Sequence, residues 1–382
     1  MTIDFAFNGR PTIGVELELH LVDAVTGELV SAANELLAEL GAPHPDGEHP
    51  KAKHELFQST VEIITGVCES PAEAHADLRA TLAELQQAAA SRGLAVISAG
   101  THPFGLARDQ DVSPHPRYHE LVEAMQWPAR RLLICGQHVH VGVRDGERAI
   151  TIINEMMRHL PLFLALSASS PFFEGEDSGL ASARSKVFEA LPTAGLPPQI
   201  TGWTDFEAFM STLIDSECIS SIREVWWDIR PHPDFGTIEF RMCDAPHTVR
   251  EATALAGLAQ TLVAWADDLA DRGELPPAPN EWTVRENRWL AARHGIDARL
   301  IVERDGPPRR QAIRELLPEL LEQLAPTAAT IGTEAELAGL LDILEHGTGS
   351  IRQRRLVEGG ASLLDVVHHL AAELLDDRVV RA

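Results

Sequence analysis

Glu16, Glu18 and His20 alternate with apolar residues in Thr-Ile-Gly-Val-Glu-Leu-Glu-Leu-His-Leu-Val, residues 12–22. Ile13, Val15, Leu17, Leu19 and Leu21 fill the intervening positions. Strict alternation over this length predicts a half-buried β-strand. Its polar face holds two carboxylates roughly 7 Å apart. Like charges at that spacing cost free energy unless a cation lies between them. Taken alone, the stretch reads equally as an ordinary strand with a solvated face. Other stretches repeat the pattern. Residues 54–64 predict a second strand carrying Glu55 and Glu62. These two are seven apart, on opposite faces of an unbroken strand, so a shared site requires a bulge or Glu55 on an entry loop. Residues 135–143 alternate again, with His138, His140 and Gly142 on one face. His138 by itself is expected to be a hydrogen-bonded core histidine. A hairpin over 223–230 and 237–243 puts Asp228 and Arg230 on one strand face, and Glu239 beside Arg241 on the other strand.

The carboxylates Glu16, Glu18, Glu55, Glu62 and Glu239, with the His140 imidazole, suit hard divalent cations, Mg²⁺ or Mn²⁺. Several such ions can grip a nucleotide's phosphates while an arginine stabilises the phosphoryl group in transfer. The chain contains no G-x-x-x-x-G-K-[ST], so a P-loop is excluded. If ATP is used, metals and arginines must hold it.

These strands need a scaffold. A turn at 23–27 and a Pro/Gly-rich loop at 41–50 punctuate the first part. Ser70-Pro-Ala-Glu73 reads as a capping box opening a helix that runs to Gly93. Residues 94–98 predict a short strand, and helices are expected at 118–127, 147–169 and 204–216. From 248 onward the pattern is helical, with segments near 248–272, 284–294, 308–324, 333–345 and 361–377. Antiparallel strands with helices outside them imply one α+β domain over 1–382, with a sheet-forming core to about 247 and a helical C-terminal part.

Composition narrows the partners. The 382 residues carry 57 Asp and Glu against 32 Lys and Arg, a formal charge of −25. So acidic a surface repels nucleic acid and anionic membrane. The four cysteines, Cys68, Cys135, Cys218 and Cys243, show neither zinc-site nor disulfide-scaffold spacing, and none has an activating neighbour in sequence. The first ten residues lack the basic and apolar regions of a signal peptide, and no apolar run is long enough for a membrane span. A cytoplasmic protein is expected.

The stretches GVELELHLVDAVTGEL, ELFQSTVEIITGVC, CGQHVHVGV, LALSASSPFFEGEDSGLASARS, WWDIRP with TIEFRMCDAP, and GTGSIRQR run from residue 12 to about 355. Together they resemble the carboxylate–amine ligases of the glutamate–cysteine ligase type 2 family, the group of YbdK-like enzymes. The resemblance implies a glutamine-synthetase-like fold, a curved antiparallel β-sheet funnel holding two or three Mg²⁺ ions and ATP. It implies metal-binding roles for Glu16, Glu18, Glu55, Glu62, His140 and Glu239, and places Arg241 over the transferring phosphoryl group. Family members often read Glu-Glu-Glu in the first motif. Leu17 takes the middle position here, but by alternation it points away from the site. Arg230 looks like a substrate-carboxylate contact. The Glu174–Gly179 loop reads equally as a lid or as a solvated surface loop, with the substrate-binding Arg184 behind it, and the C-terminal motif reads either as bringing Arg352 to the cofactor or as a helix-start turn.

The implied reaction joins the γ-carboxylate of glutamate to an amine through an acyl phosphate. Cysteine is the default acceptor, with another amino acid or a small alkylamine as the alternative. Two rival readings are a non-catalytic ligand-binding relative and, more remotely, a metal-dependent amidohydrolase built on His138-Val-His140. A homodimer fits the size and class.

Overall fold

In a computed structural model that describes residues 2–303 and 307–380, seven strands form one antiparallel sheet. They are β1 (Ile13–Asp23), β2 (Ala52–His54), β3 (Thr60–Ile64), β4 (Leu94–Ile97), β5 (Gly136–Gly142), β8 (Ile229–His232) and β9 (Thr237–Asp244). Two short hairpins lie outside it, β6 (Phe172–Phe173) with β7 (Glu176–Asp177), and β10 (Arg299–Val302) with β11 (Arg309–Ala312). The order is β2-β3-β1-β5-β9-β8, with β4 also paired to β1. The expected α+β funnel is present.

The alternation in β1 decides its placement. Ile13, Val15, Leu17, Leu19 and Leu21 are essentially fully buried, while Glu16 and Glu18 face the concave side. Burying each such apolar side chain contributes about 1.5–3 kcal/mol. That offsets the roughly 2 kcal/mol cost of two carboxylates about 7 Å apart at an effective dielectric constant near 20. The core behind the sheet is built from the helices. In chain order these begin with α1 (Ala33–Gly41), α2 (Pro71–Ala90), α3 (Pro116–Met125), α4 (Gly146–Met156) and α5 (Leu160–Ser167). α6 (Arg184–Phe188), α7 (Trp203–Asp215), α8 (Val249–Arg272) and α9 (Glu281–His294) follow, then α10 (Ile313–Ile331), α11 (Glu334–His346), α12 (Gly349–Glu358) and α13 (Leu363–Asp376). One hydrophobic cluster runs from Ile13 to Leu374 and includes Leu255, Leu258 and Leu262 of α8. The helical C-terminal part therefore shares the sheet's core.

Several expectations are corrected. Residues 54–64 are not one strand: β2 and β3 pair antiparallel, and Glu55 sits on the loop between them. The helix expected over 147–169 breaks into α4 and α5, bent by 66°. Pro161, in the first turn of α5, has no N–H to continue the ladder. Residues near 308 enter β11 before α10 begins, and the C-terminal motif opens α12, the helix start that was its alternative reading, although the periodicity marked no helix there. Ser70 does cap α2, but Glu73 reaches back to the Glu69 N–H, so the capping box is only half formed. No single helix among the described residues is long and apolar enough to cross a membrane. The bent α4–α5 pair passes that test only jointly, and every residue of α5 is buried.

Candidate active site

Strand register sets the polar groups opposite one another. Glu18 of β1 faces Glu62 of β3, and Glu16 of β1 faces His138 of β5. His140 of β5 faces Glu239 of β9, which faces Arg230 of β8. Directly opposed side chains in an antiparallel pair sit about 5 Å apart, and like charges there are destabilising. A register shift between β5 and β9, at Gln137–Val139, falls beside Arg241. Bulges of this kind re-aim side chains.

These residues line a cavity of about 440 Å³. Glu16, Glu18, Glu55, Glu62, His140, Glu239, Arg241, Arg230 and Arg184 all reach it. Arg352 does not. It is buried in the C-terminal helices, where it binds Glu251 at 2.7 Å, Glu373 at 3.1 Å and the Gly347 carbonyl. The Glu174–Gly179 loop contributes no lining residue. Its Glu174 pairs with Arg131 and its Asp177 with Arg354, so the candidate lid is tied down elsewhere. Asp228 also turns away from the cavity, pairing with Arg288 of α9. His20 is wholly buried beside Cys135 and His102 and does not line this cavity.

His138 is the main residue underestimated from sequence. Its Nδ1 lies 2.8 Å from Glu16 Oε2 and its Nε2 3.9 Å from Glu18 Oε1. The parity it shares with His140 was the available signal. Lys53 of β2, His232 of β8, Arg117 and Tyr118 of α3, and Trp226 of the loop before β8 also line the cavity; His232 shares the parity of Arg230, while α3 and the loop offer no strand alternation to point to their residues.

Three groups of side chains can each surround a cation: Glu16, Glu62 and His138; Glu16, His140 and Glu239; Glu18, Glu55 and Glu62. Their ligand atoms lie within 4.8 Å of one another. Opposite ligands of Mg²⁺ stand about 4.2 Å apart, twice the 2.1 Å bond, so small adjustments suffice. The donor set fits hard divalent cations. The electrostatics fit too, because Glu18, Glu55 and Glu62 have no Lys or Arg ion-pair partner among the described residues. Burial, then the neighbouring Glu18, pushes the Glu55 carboxyl up to about 8. Burial, then Glu16, Glu55 and Glu18, raises Glu62 well above the carboxylate range. Glu16 goes the other way: burial opposes its ionisation, but hydrogen bonds from His138 and His140 outweigh it.

Glu239 is held ionised against burial by Arg241 and Arg230. Arg230 donates from Nε to Glu239 at 2.6 Å and from Nη1 to the Val225 carbonyl at 2.7 Å. Its donors are thus largely used in fixing Glu239 and the loop before β8. Arg241 also pairs with Glu239, yet its buried Nε has no hydrogen-bond partner among the described residues. Arg184 is similarly underused. Its Nε is unpartnered, and its Nη atoms reach only the carbonyls of Met242 and Arg241, at 3.4 and 3.5 Å. Its guanidinium passes so close to Gly136 that a Cβ there would meet it at 2.0 Å. Burial pushes up the thiols of Cys68, Cys135 and Cys243, the last to about 12, and no cysteine lines the cavity.

A stability test follows from these charges. Glu55 and Glu62 take up protons on folding, so metal-free stability present below their unfolded pKa near 4.5 is lost as pH rises, through about 8 in the case of Glu55. A cation in the site reverses that loss. Added Mg²⁺ is therefore expected to raise Tm more at pH 8 than at pH 5.5. At 100 times Kd, binding stabilises by about 2.7 kcal/mol, roughly 4 °C in a chain of this length. Calorimetry showing equal Mg²⁺ shifts at both pH values would contradict the cation sites.

Comparison with known proteins places this geometry. The sequence profile of glutamate–cysteine ligase family 2 matches residues 12–369. The chain is 49% identical to a Thermobifida fusca protein named "Putative glutamate–cysteine ligase 2", over 98% of this chain and 93% of that one. It is 48% identical to a Frankia casuarinae protein named "Putative glutamate–cysteine ligase 2-1", over 100% and 99%. In fold it is similar to the Francisella tularensis glutamate–cysteine ligase solved with AMP, with a TM-score of 0.68 at 12% identity over 97% and 90% of the two chains. A bifunctional glutathione synthetase from Pasteurella multocida also aligns at 0.68, with 14% identity, over 95% of this chain and 52% of that one. At such identities the solved structures speak for the fold alone.

Proposed function

The chain belongs to glutamate–cysteine ligase family 2 and is an ATP-dependent carbon–nitrogen ligase, and on that premise we propose that it joins the γ-carboxylate of glutamate to an amine, cysteine by default, through a γ-glutamyl phosphate. The observation that carries this reading is three overlapping cation sites sharing Glu16 and Glu62, set in one cavity with Arg241 and Arg184.

Glu16, Glu18, Glu55, Glu62, His138, His140 and Glu239 would hold two or three divalent cations, Mg²⁺ or Mn²⁺. When bound, the cations neutralise and orient the triphosphate. Glu239 pairs with Arg230 and Arg241 and would also be a ligand to a cation. Were Glu239 engaged by a cation, Arg241 would be free to turn its guanidinium toward the cavity and stabilise charge on the γ-phosphoryl group. Arg230 keeps Glu239 in place throughout. Arg184 offers a desolvated guanidinium to a substrate carboxylate.

An oxygen of the γ-carboxylate attacks the γ-phosphorus, and ADP departs. The amine nitrogen then attacks the acyl carbon. Phosphate leaves with that carboxylate oxygen, and the nitrogen gives up its extra proton. The walls of the cavity keep water from the acyl phosphate meanwhile. No protein thiol takes part, since none lines the cavity.

A second acceptor class has its own support. Leu121, Leu132, Ile134, Phe188, Leu191 and Trp226 give the cavity an apolar wall, which suits an apolar amine as well as a thiol-bearing one. The test is an assay with Mg²⁺, ATP, glutamate and a panel of amines, cysteine included. Amine-dependent phosphate release with a γ-glutamyl product by mass is expected. No nucleotide turnover with any amine would overturn the proposal.

A further inference from the structure

α3 has no buried residue, although Arg117, Tyr118 and Leu121 of its inner side line the cavity. Its attachment is slight. Tyr118 Oη donates to the His54 carbonyl at 2.8 Å, and Tyr118, Leu121 and Val122 rest half-buried on a small cluster of Leu56, Phe57, Ala107 and Leu133. Each end is a pivot. The helix is entered through Ser113-Pro114-His115-Pro116 and left through Gln126, whose φ of 52° lies in the left-handed region that non-glycine residues rarely adopt. Elements with few buried contacts are where low-energy local opening occurs.

Arg117 stands in an odd position on this helix. It occupies the first turn, where the positive end of the helix dipole disfavours a cation, and no acidic residue accompanies it there. It lines the cavity near the Glu18, Glu55 and Glu62 group but makes no ion pair within 4.0 Å among the described residues. Once cations neutralise those carboxylates, the remaining anionic groups in the cavity belong to the substrates. An exposed guanidinium with free donors then has an oxyanion to grip.

We propose that α3 is a lid and that Arg117 is the group it delivers, pairing on closure with an anionic oxygen of bound substrate, a nucleotide phosphate or an amino-acid carboxylate. This inference rests on the ligase reading above. The lid's opening admits substrates, and its closure completes the shielding of the acyl phosphate.

The test is isothermal titration of wild type, Arg117→Gln and Arg117→Lys with a non-hydrolysable ATP analogue and Mg²⁺, then of each complex with glutamate. Hydrogen exchange over residues 116–126 and Tm are read alongside. A charge-assisted hydrogen bond corresponds to about 10- to 100-fold in affinity. Arg117→Gln is expected to weaken one of the two titrations by that factor at wild-type Tm, with Arg117→Lys intermediate. Loss in the first titration identifies a phosphate, and loss only in the second a carboxylate. Exchange in α3 should slow on binding in wild type and slow less in Arg117→Gln. If wild type binds both ligands and Arg117→Gln binds them equally well, or if α3 exchange does not respond to binding, the lid proposal is overturned. If wild type binds no nucleotide, the ligase reading itself falls and takes this inference with it.

Discussion

Glu62→Gln is expected to cut turnover by at least about 100-fold while leaving the metal-free protein as stable as wild type or more so. Glu62 belongs to two of the three cation groups. Outer-sphere partners of a metal are worth 10- to 100-fold in affinity or activity, and a shared ligand is worth no less. The stability effect has the opposite sign because Glu62 is buried among Glu16, Glu55 and Glu18, all of which oppose its charge. Glutamine keeps the shape and removes that repulsion. At pH 8 the metal-free variant is therefore expected to unfold at a Tm no lower than that of wild type. Steady-state kinetics and metal-free calorimetry on one preparation decide the matter. A variant that lost activity and stability together would make Glu62 a structural residue. Trading stability for a crowded charged site is common where function requires it.

The second large effect is expected at Arg241. Arg241→Ala should lower kcat by about 10²–10³-fold, the usual cost of removing a donor aimed at developing charge, and should leave equilibrium affinity for a Mg²⁺–nucleotide analogue within a few-fold. The split is expected from the proposed roles, in which Arg241 would act on the phosphoryl group in transfer and the cations would hold the ground-state triphosphate. Folding should tolerate the change, since Glu239 keeps Arg230 as its partner. Arg241→Lys should rescue little, because a point charge does not reproduce the planar fork. Kinetics with single-turnover ADP release distinguish the outcomes. A raised KM at unchanged kcat would assign Arg241 to ground-state binding instead.

Much of this site was legible because strand alternation carries side information. Glu16 and Glu18 against Leu17 declare two faces, and the buried Leu17 confirms which one is the core. His138 obeyed the same parity as His140, yet was expected in the core. Deciding between a core histidine and a ligand needs the partner strand, and β1 places Glu16 directly opposite. Glu55 was constrained to a bulge or a loop by spacing alone, and the loop between β2 and β3 resolves it. The failures share a cause. Arg352 and the Glu174–Gly179 loop carried chemically suggestive residues, but their partners Glu251, Glu373, Arg131 and Arg354 lie far away in sequence. A guanidinium near a carboxylate reads the same whether it will grip a substrate or knit two helices. Arg230 shows the intermediate case: it reaches the cavity as expected, but its donors are spent on Glu239 and backbone carbonyls. Arg117 gave no sign, because the helix expected at 118–127 began one residue after it and only the observed α3 places it in a first turn.

The central claim is that glutamate is activated by phosphorylation of its own γ-carboxylate. The most direct measurement supplies glutamate with both γ-carboxylate oxygens as ¹⁸O, together with ATP, Mg²⁺ and the accepted amine, and weighs the phosphate released. The account predicts one ¹⁸O in each phosphate and one in the γ-glutamyl product. Unlabelled phosphate alongside amide formation would contradict it, because the oxygen lost from glutamate would then have left by another route.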